Sequence, residues 1–109
     1  MGASSNGQSD YVYIWDFVVS KSSVLEFEEC YGPNGEWANL FRKHTGYLKT
    51  ELIRGQTNPL RYITIDHWQS EKDFAEFQAT FKVEYDELDR RYEALTVQET
   101  KIGTFTTIS

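Results

Sequence analysis

The chain is poor in sulfur, proline, histidine and basic charge. Its single cysteine, Cys30, excludes an intramolecular disulfide. One thiol suits a reducing compartment, and a cytoplasmic location is the expectation. Basic residues number 11 against 17 acidic ones, for a formal charge of -6. Such a chain lacks the clustered Lys and Arg that grip a phosphate backbone or an anionic bilayer. No nucleic-acid partner and no membrane are expected. No apolar run approaches the roughly 20 residues of a membrane span. The N-terminus has no apolar signal core, so no secretory signal is expected. The two histidines, His44 and His67, have no partner at metal-ligand spacing, and HxxxH, CxxC and HxxE are all absent. No metal is expected. Neither GxGxxG nor GxxxxGK[ST] occurs, so no phosphate-cradling loop is indicated. Cys30 lies among glutamates, in "EFEECYG", which raise a thiol pKa rather than lower it. It reads as a packing residue.

What is abundant is aromatic: 16% of the 109 residues. Aromatic side chains bury large areas, so a domain this size uses them for a dense core, a pocket or an interface. The segment 1–10, "MGASSNGQSD", has no apolar periodicity and is expected to be disordered. Residues 11–109 read as one domain.

"YVYIWDFVV" (Tyr11 to Val19) is aromatic and β-branched, and reads as a strand with two apolar faces. "SKSSVLEFEECY" reads as a helix, with Ser23 and Glu26 as a capping box. A second short helix carries Trp37, Leu40, Phe41 and His44 at helical spacing. "YLKTELI" and "LRYITIDHW" read as an antiparallel hairpin. Ser70 starts a long amphipathic helix running past Phe74, Phe77, Phe81 and Tyr85 to Leu95, bent near Thr80. "TVQETKIGTFTTI" is the last strand.

The order β-α-β-β-α-β is the ferredoxin-like α+β pattern: a four-stranded antiparallel sheet with helices on one face. The other sheet face is too apolar for water. A homodimer in which two sheet faces meet as a dimeric α+β barrel is therefore expected.

On the third strand, Tyr62, Thr64, Asp66 and Trp68 share one face. A carboxylate there needs a donor or a wet pocket, and Arg42, Arg61 and Lys101 are the available cations. Asp16 on the first strand poses the same question. Two such carboxylates could serve as bases for proton abstraction.

The strands "GYLKTELI" and "RYITIDHW", followed by "QSEKDFAEF", resemble the antibiotic biosynthesis monooxygenase (ABM) domain of the dimeric α+β barrel superfamily. The resemblance spans roughly Tyr11 to Phe105. Some members of that family oxidise polycyclic phenols to quinones with molecular oxygen and no prosthetic group. Others degrade heme. In the quinone-forming type a Trp works with an Asn four residues before it and a Tyr six after it. Trp68 matches the Trp, whereas Thr64 and Phe74 occupy the other positions. Phe74 has no hydroxyl to move a proton, and Thr64 no amide. The heme-degrading type needs a His about ten residues after the Trp. Here Phe77, Gln78 and Ala79 stand there, so heme is not expected.

The resemblance thus implies a cofactor-independent monooxygenase acting on a small aromatic, polyketide-like or quinol substrate. Trp68, Asp66 and Thr64 are its candidate catalytic residues. Tyr13, Trp15, Trp37, Phe41, His44, Tyr62 and Phe74 are its candidate substrate-binding residues. Two alternatives stand beside it. One is a non-enzymatic small-molecule-binding or stress-response module on the same barrel. The other is an isomerase or lyase with Asp66 or Asp16 as base.

Overall fold

A computed structural model describes residues 9–108. Most of the expected lead-in, residues 1–8, lies outside the described residues. Asp10 is already tied to the last strand. Its N–H donates to Thr107 Oγ1 at 2.8 Å, and its carbonyl accepts from Thr107 N–H at 3.1 Å.

The elements are β1 (Tyr11–Val19), α1 (Val24–Tyr31), α2 (Glu36–Phe41), β2 (Tyr47–Arg54), β3 (Arg61–Trp68), α3 (Glu71–Thr80), α4 (Lys82–Tyr92) and β4 (Thr96–Thr106). They form one four-stranded antiparallel sheet in the order β2-β3-β1-β4. This is the ferredoxin-like arrangement, with the helices on one face. β1 and β3 occupy the centre, where β-branched and aromatic residues fit best.

Two local expectations are corrected. Ser23 makes no side-chain cap; a 3-10 turn over Lys21–Ser23 leads into α1 instead. The long helix is two helices. They part at Phe81, whose φ and ψ of -112° and 28° leave the helical range. Ser70 does cap α3, accepting from the Asp73 N–H and donating its hydroxyl to Asp73 Oδ2 at 2.8 Å. Its partner is an Asp where the capping box usually has Glu or Gln.

The core lies between sheet and helices and is largely aromatic. Trp68, Phe27 and Phe77 have no exposed surface, and Tyr62 only 1%. The rings meet edge-on or tilted, as with Trp68 and Phe41 at 5.6 Å between centroids. On the opposite face of the sheet stand Val12, Ile14 and Val18 of β1 with Ile63 and Ile65 of β3.

Period two and the strand register settle the two aspartates. Asp16 lies on the outer face, where Arg61 forks onto it with an Nη2–Oδ2 distance of 2.7 Å. Asp66 lies on the helix face. They serve different sides of the sheet, so no two-carboxylate base pair forms. Arg61 is thereby spoken for, and none of the expected cations reaches Asp66.

Candidate functional site

Between sheet and helices lies a cavity of about 170 Å3. Its walls come from several elements. β1 sends in Tyr13, Trp15 and Phe17 from one face. The first two helices add Tyr31, Trp37 and Phe41, α3 adds Phe74, and α4 adds Tyr85. Neighbouring rings brace each other. Tyr13 and Phe74 lie 4.9 Å apart, as do Trp37 and Tyr85.

The polar lining has an inner and an outer part. Inside are Thr50, Thr64 and Asp66, all buried. Asp89 of α4 and Glu99 of β4 are solvent-exposed and mark the mouth.

Asp66 is 7% exposed. It sits opposite Thr50 in the β2–β3 register, and that pairing supplies its donor. Thr50 Oγ1 donates to Asp66 Oδ1 at 2.6 Å. Thr50 has only one proton to give, so the 2.7 Å contact from Tyr47 must be a donation from the phenol. A chain of hydroxyls therefore runs Tyr47 → Thr50 → Asp66. Burial raises the Tyr47 pKa, which keeps that phenol a donor. Burial also pushes Asp66 up to about 7, against the smaller opposing pull of the Thr50 hydrogen bond. Among the described residues nothing bonds to Asp66 Oδ2. A carboxyl poised near neutrality, with one oxygen anchored and one free, can both take and return a proton.

Seven of the ten candidate residues line this cavity: Tyr13, Trp15, Trp37, Phe41, Thr64, Asp66 and Phe74. Three do not. Trp68 stands behind the wall, packed on Phe41, Tyr47, Phe74 and Phe77 at 5.1–5.6 Å between centroids. Its Nε1–H is buried without a partner among the described residues. Tyr62 is turned toward α1 and donates to Glu28 Oε2 at 2.5 Å. His44 accepts from the Gly46 N–H through Nδ1 at 2.9 Å. Its neutral ring must then carry the proton on Nε2, which faces Glu76 Oε1 at 3.3 Å. His44, Asp73 and Glu76 do converge within 4.8 Å. A protonated Nε2 has no lone pair for an ion, so this group is better explained as a hydrogen-bonded corner.

Sequence reading missed Phe17, Tyr31, Thr50, Tyr85, Asp89 and Glu99 as lining residues. Tyr31 and Tyr85 were visible as apolar helical positions. Thr50 carried no signal without the strand register. Cys30 is excluded as a nucleophile. Burial, reinforced by Glu36 and Glu26, pushes its thiol up to about 11.

The architecture as a whole matches that of solved structures described as a cofactor-independent oxygenase and as candidate antibiotic biosynthesis monooxygenases. Among solved structures, it is similar to SnoaB, a cofactor-independent oxygenase from Streptomyces nogalater. The TM-score is 0.75 at 20% identity, over 93% of this chain and 95% of that one. A candidate antibiotic biosynthesis monooxygenase from Bordetella bronchiseptica matches with a TM-score of 0.67 at 15% identity, over 94% and 98%. Protein SO0527 from Shewanella oneidensis matches with 0.65 at 16% identity, over 94% and 96%. No family model and no curated protein matches the sequence, so the likeness resides in the fold.

Proposed function

We propose that this chain is a cofactor-independent monooxygenase, acting on a small aromatic or quinol-type compound held in the cavity. The observation that carries the reading is Asp66: a buried carboxyl with one oxygen unbonded among the described residues, facing an aromatic-walled cavity. SnoaB, described as a cofactor-independent oxygenase, has the same fold and supports the reaction class.

The protein's task in such a reaction is small. Ionised Asp66 removes a proton from an acidic ring CH2, leaving a delocalised carbanion. The carbanion passes one electron to oxygen, and the radical pair combines to form a C–O bond. Asp66 returns its proton to the peroxide. Loss of the second C–H proton with hydroxide forms water and leaves a carbonyl. The sum is CH2 + O2 → C=O + H2O. The Thr64 hydroxyl and the protonated Asp66 are the donors available to a developing oxyanion. Exclusion of water by the aromatic walls favours oxygen over hydrolytic side reactions.

The assembly in this reading is a homodimer joined through the outer sheet face. Ile14, Ile63 and Ile65 form its centre, and Phe105 and Ile53 are about half exposed beside them. An apolar face on this scale marks an association surface. A buried single thiol is compatible with the cytoplasm.

Oxygen uptake without added cofactor, over a panel of quinols and anthrone-like compounds, tests the proposal. Turnover is expected to rise with pH through about 7 as Asp66 ionises. Asp66→Asn is expected to lower it about 100-fold or more. An unchanged rate in that variant would remove Asp66 from the chemistry. Binding without any oxygen uptake would favour the non-enzymatic module. Phe74 in place of a hydroxyl-bearing residue is the observation on that side.

A further inference from the structure

The cavity's charge is one-sided. Asp66, Asp89 and Glu99 contribute to its lining, and among the described residues no Lys, Arg or His does. Asp89 has no hydrogen bond or ion pair among the described residues. Glu99 has only the Thr96 hydroxyl, donating at 2.9 Å. Carboxylates on a soluble surface commonly find cations, and this chain pairs Asp16, Glu36 and Asp86 in that way. The two at the mouth are left open beside aromatic rings.

Inside, the buried Asp66 side chain also keeps one oxygen open. Among the described residues nothing bonds to Asp66 Oδ2, in the same enclosure. Buried polar side chains normally have partners for their polar atoms, so an open carboxylate oxygen on a cavity wall points to a ligand.

Aromatic faces attract cations through the ring quadrupole. This mouth already does so. The Lys101 ammonium sits over the Tyr13 ring, 5.3 Å from its centroid. Even counting Lys101, carboxylates outnumber cations around the cavity. Its size sets the other limit. About 170 Å3 is close to the roughly 150 Å3 of an engineered cavity that accepts benzene.

We propose that the cavity takes a one- or two-ring aromatic compound bearing a protonated amine. The ammonium is held at the mouth by Asp89 and Glu99 beside the Tyr85 ring, with the aromatic ring directed inward toward Asp66. Aromatic carboxylates are excluded by the same three acidic groups. This rests on reading the cavity as a ligand site and names the ligand's class.

Titration calorimetry of the full chain with three matched probes tests it: a naphthylmethyl amine, the corresponding alcohol, and a naphthoate. The amine is expected to bind about ten-fold tighter than the alcohol, and the naphthoate more weakly than both. Added salt should narrow the gap. The exposed-site double variant Asp89→Asn, Glu99→Gln should bring the amine down to the alcohol's affinity and leave the alcohol unchanged. Equal affinity for amine and alcohol, a preference that survives the double variant, or no binding by any probe would each overturn the proposal. The monooxygenase reading fails by a different readout, the absence of oxygen uptake, which the amine preference does not affect.

Discussion

At the scale of single residues, Asp66 links chemistry to stability. Burial favours its neutral form, raising the pKa from 3.8 to about 7. Between those values the folded chain holds a proton that the unfolded chain has released. Stability is therefore greatest below about pH 4 as far as this group is concerned, and falls as pH rises toward 7. Linkage puts the full loss at about 4 kcal/mol. Asp66→Asn should flatten this dependence. Urea unfolding at pH 5 and pH 8 checks it: the wild-type chain should lose stability between the two, and the variant much less. A parallel loss in both would mean that Asp66 ionises freely in the fold. The conditions that arm Asp66 as a base are thus those in which it strains the fold most. Thr50→Val should sharpen the effect, because the carboxylate then loses its one anchoring donor.

At the scale of elements, the corner from β3 into α3 is held by Trp68 and Ser70. Trp68 touches four aromatic rings and has no exposed surface. Trp68→Ala should cost about 3–5 kcal/mol of stability. Ser70→Ala, which removes the cap of α3, should cost about 1 kcal/mol. Thermal melts of both variants measure these. A Trp68→Phe variant that stays folded and keeps its ligand affinity would assign Trp68 to packing alone.

The elements themselves were largely legible in the sequence. β1, the hairpin and the start of α3 follow from alternation, turn residues and the Ser70 cap. The break at Phe81 was foreshadowed near Thr80. The inner site was half legible. Period two put Asp66 on the same face as Thr64, but its partner depends on which residue of β2 lies opposite. Alternation within one strand cannot say that. Asp89 and Glu99 are harder still. Both read as ordinary surface acids, and only the packing of α4 and β4 around the cavity brings them together. The fork of Arg61 onto Asp16 also depends on pairing between distant strands.

At the scale of the whole molecule, the sheet has one face covered by helices and one bare face rich in Ile and Val. Light scattering on a sizing column should give about twice the 12.7 kDa chain mass. Ile65→Glu places a charge on the outer face without touching the helix-side core, and should yield a folded monomer. A wild-type monomer in dilute solution would remove the barrel from the proposal. His67 lies on the same face, with Nδ1 3.2 Å from Asp10 and Nε2 3.7 Å from Glu51. His67→Phe therefore probes whether the polar contacts at that rim contribute to association.

β1 is a single peptide layer between these two faces. Tyr13 and Trp15 look into the cavity, while Ile14 and Asp16 look the other way. Pressure on one side has no second layer in which to dissipate. If two chains meet across the outer face, then each cavity has a wall whose rear surface is the neighbour. Ligand affinity would then depend on protein concentration, and occupancy of one cavity could be felt in the other through a few ångströms of backbone.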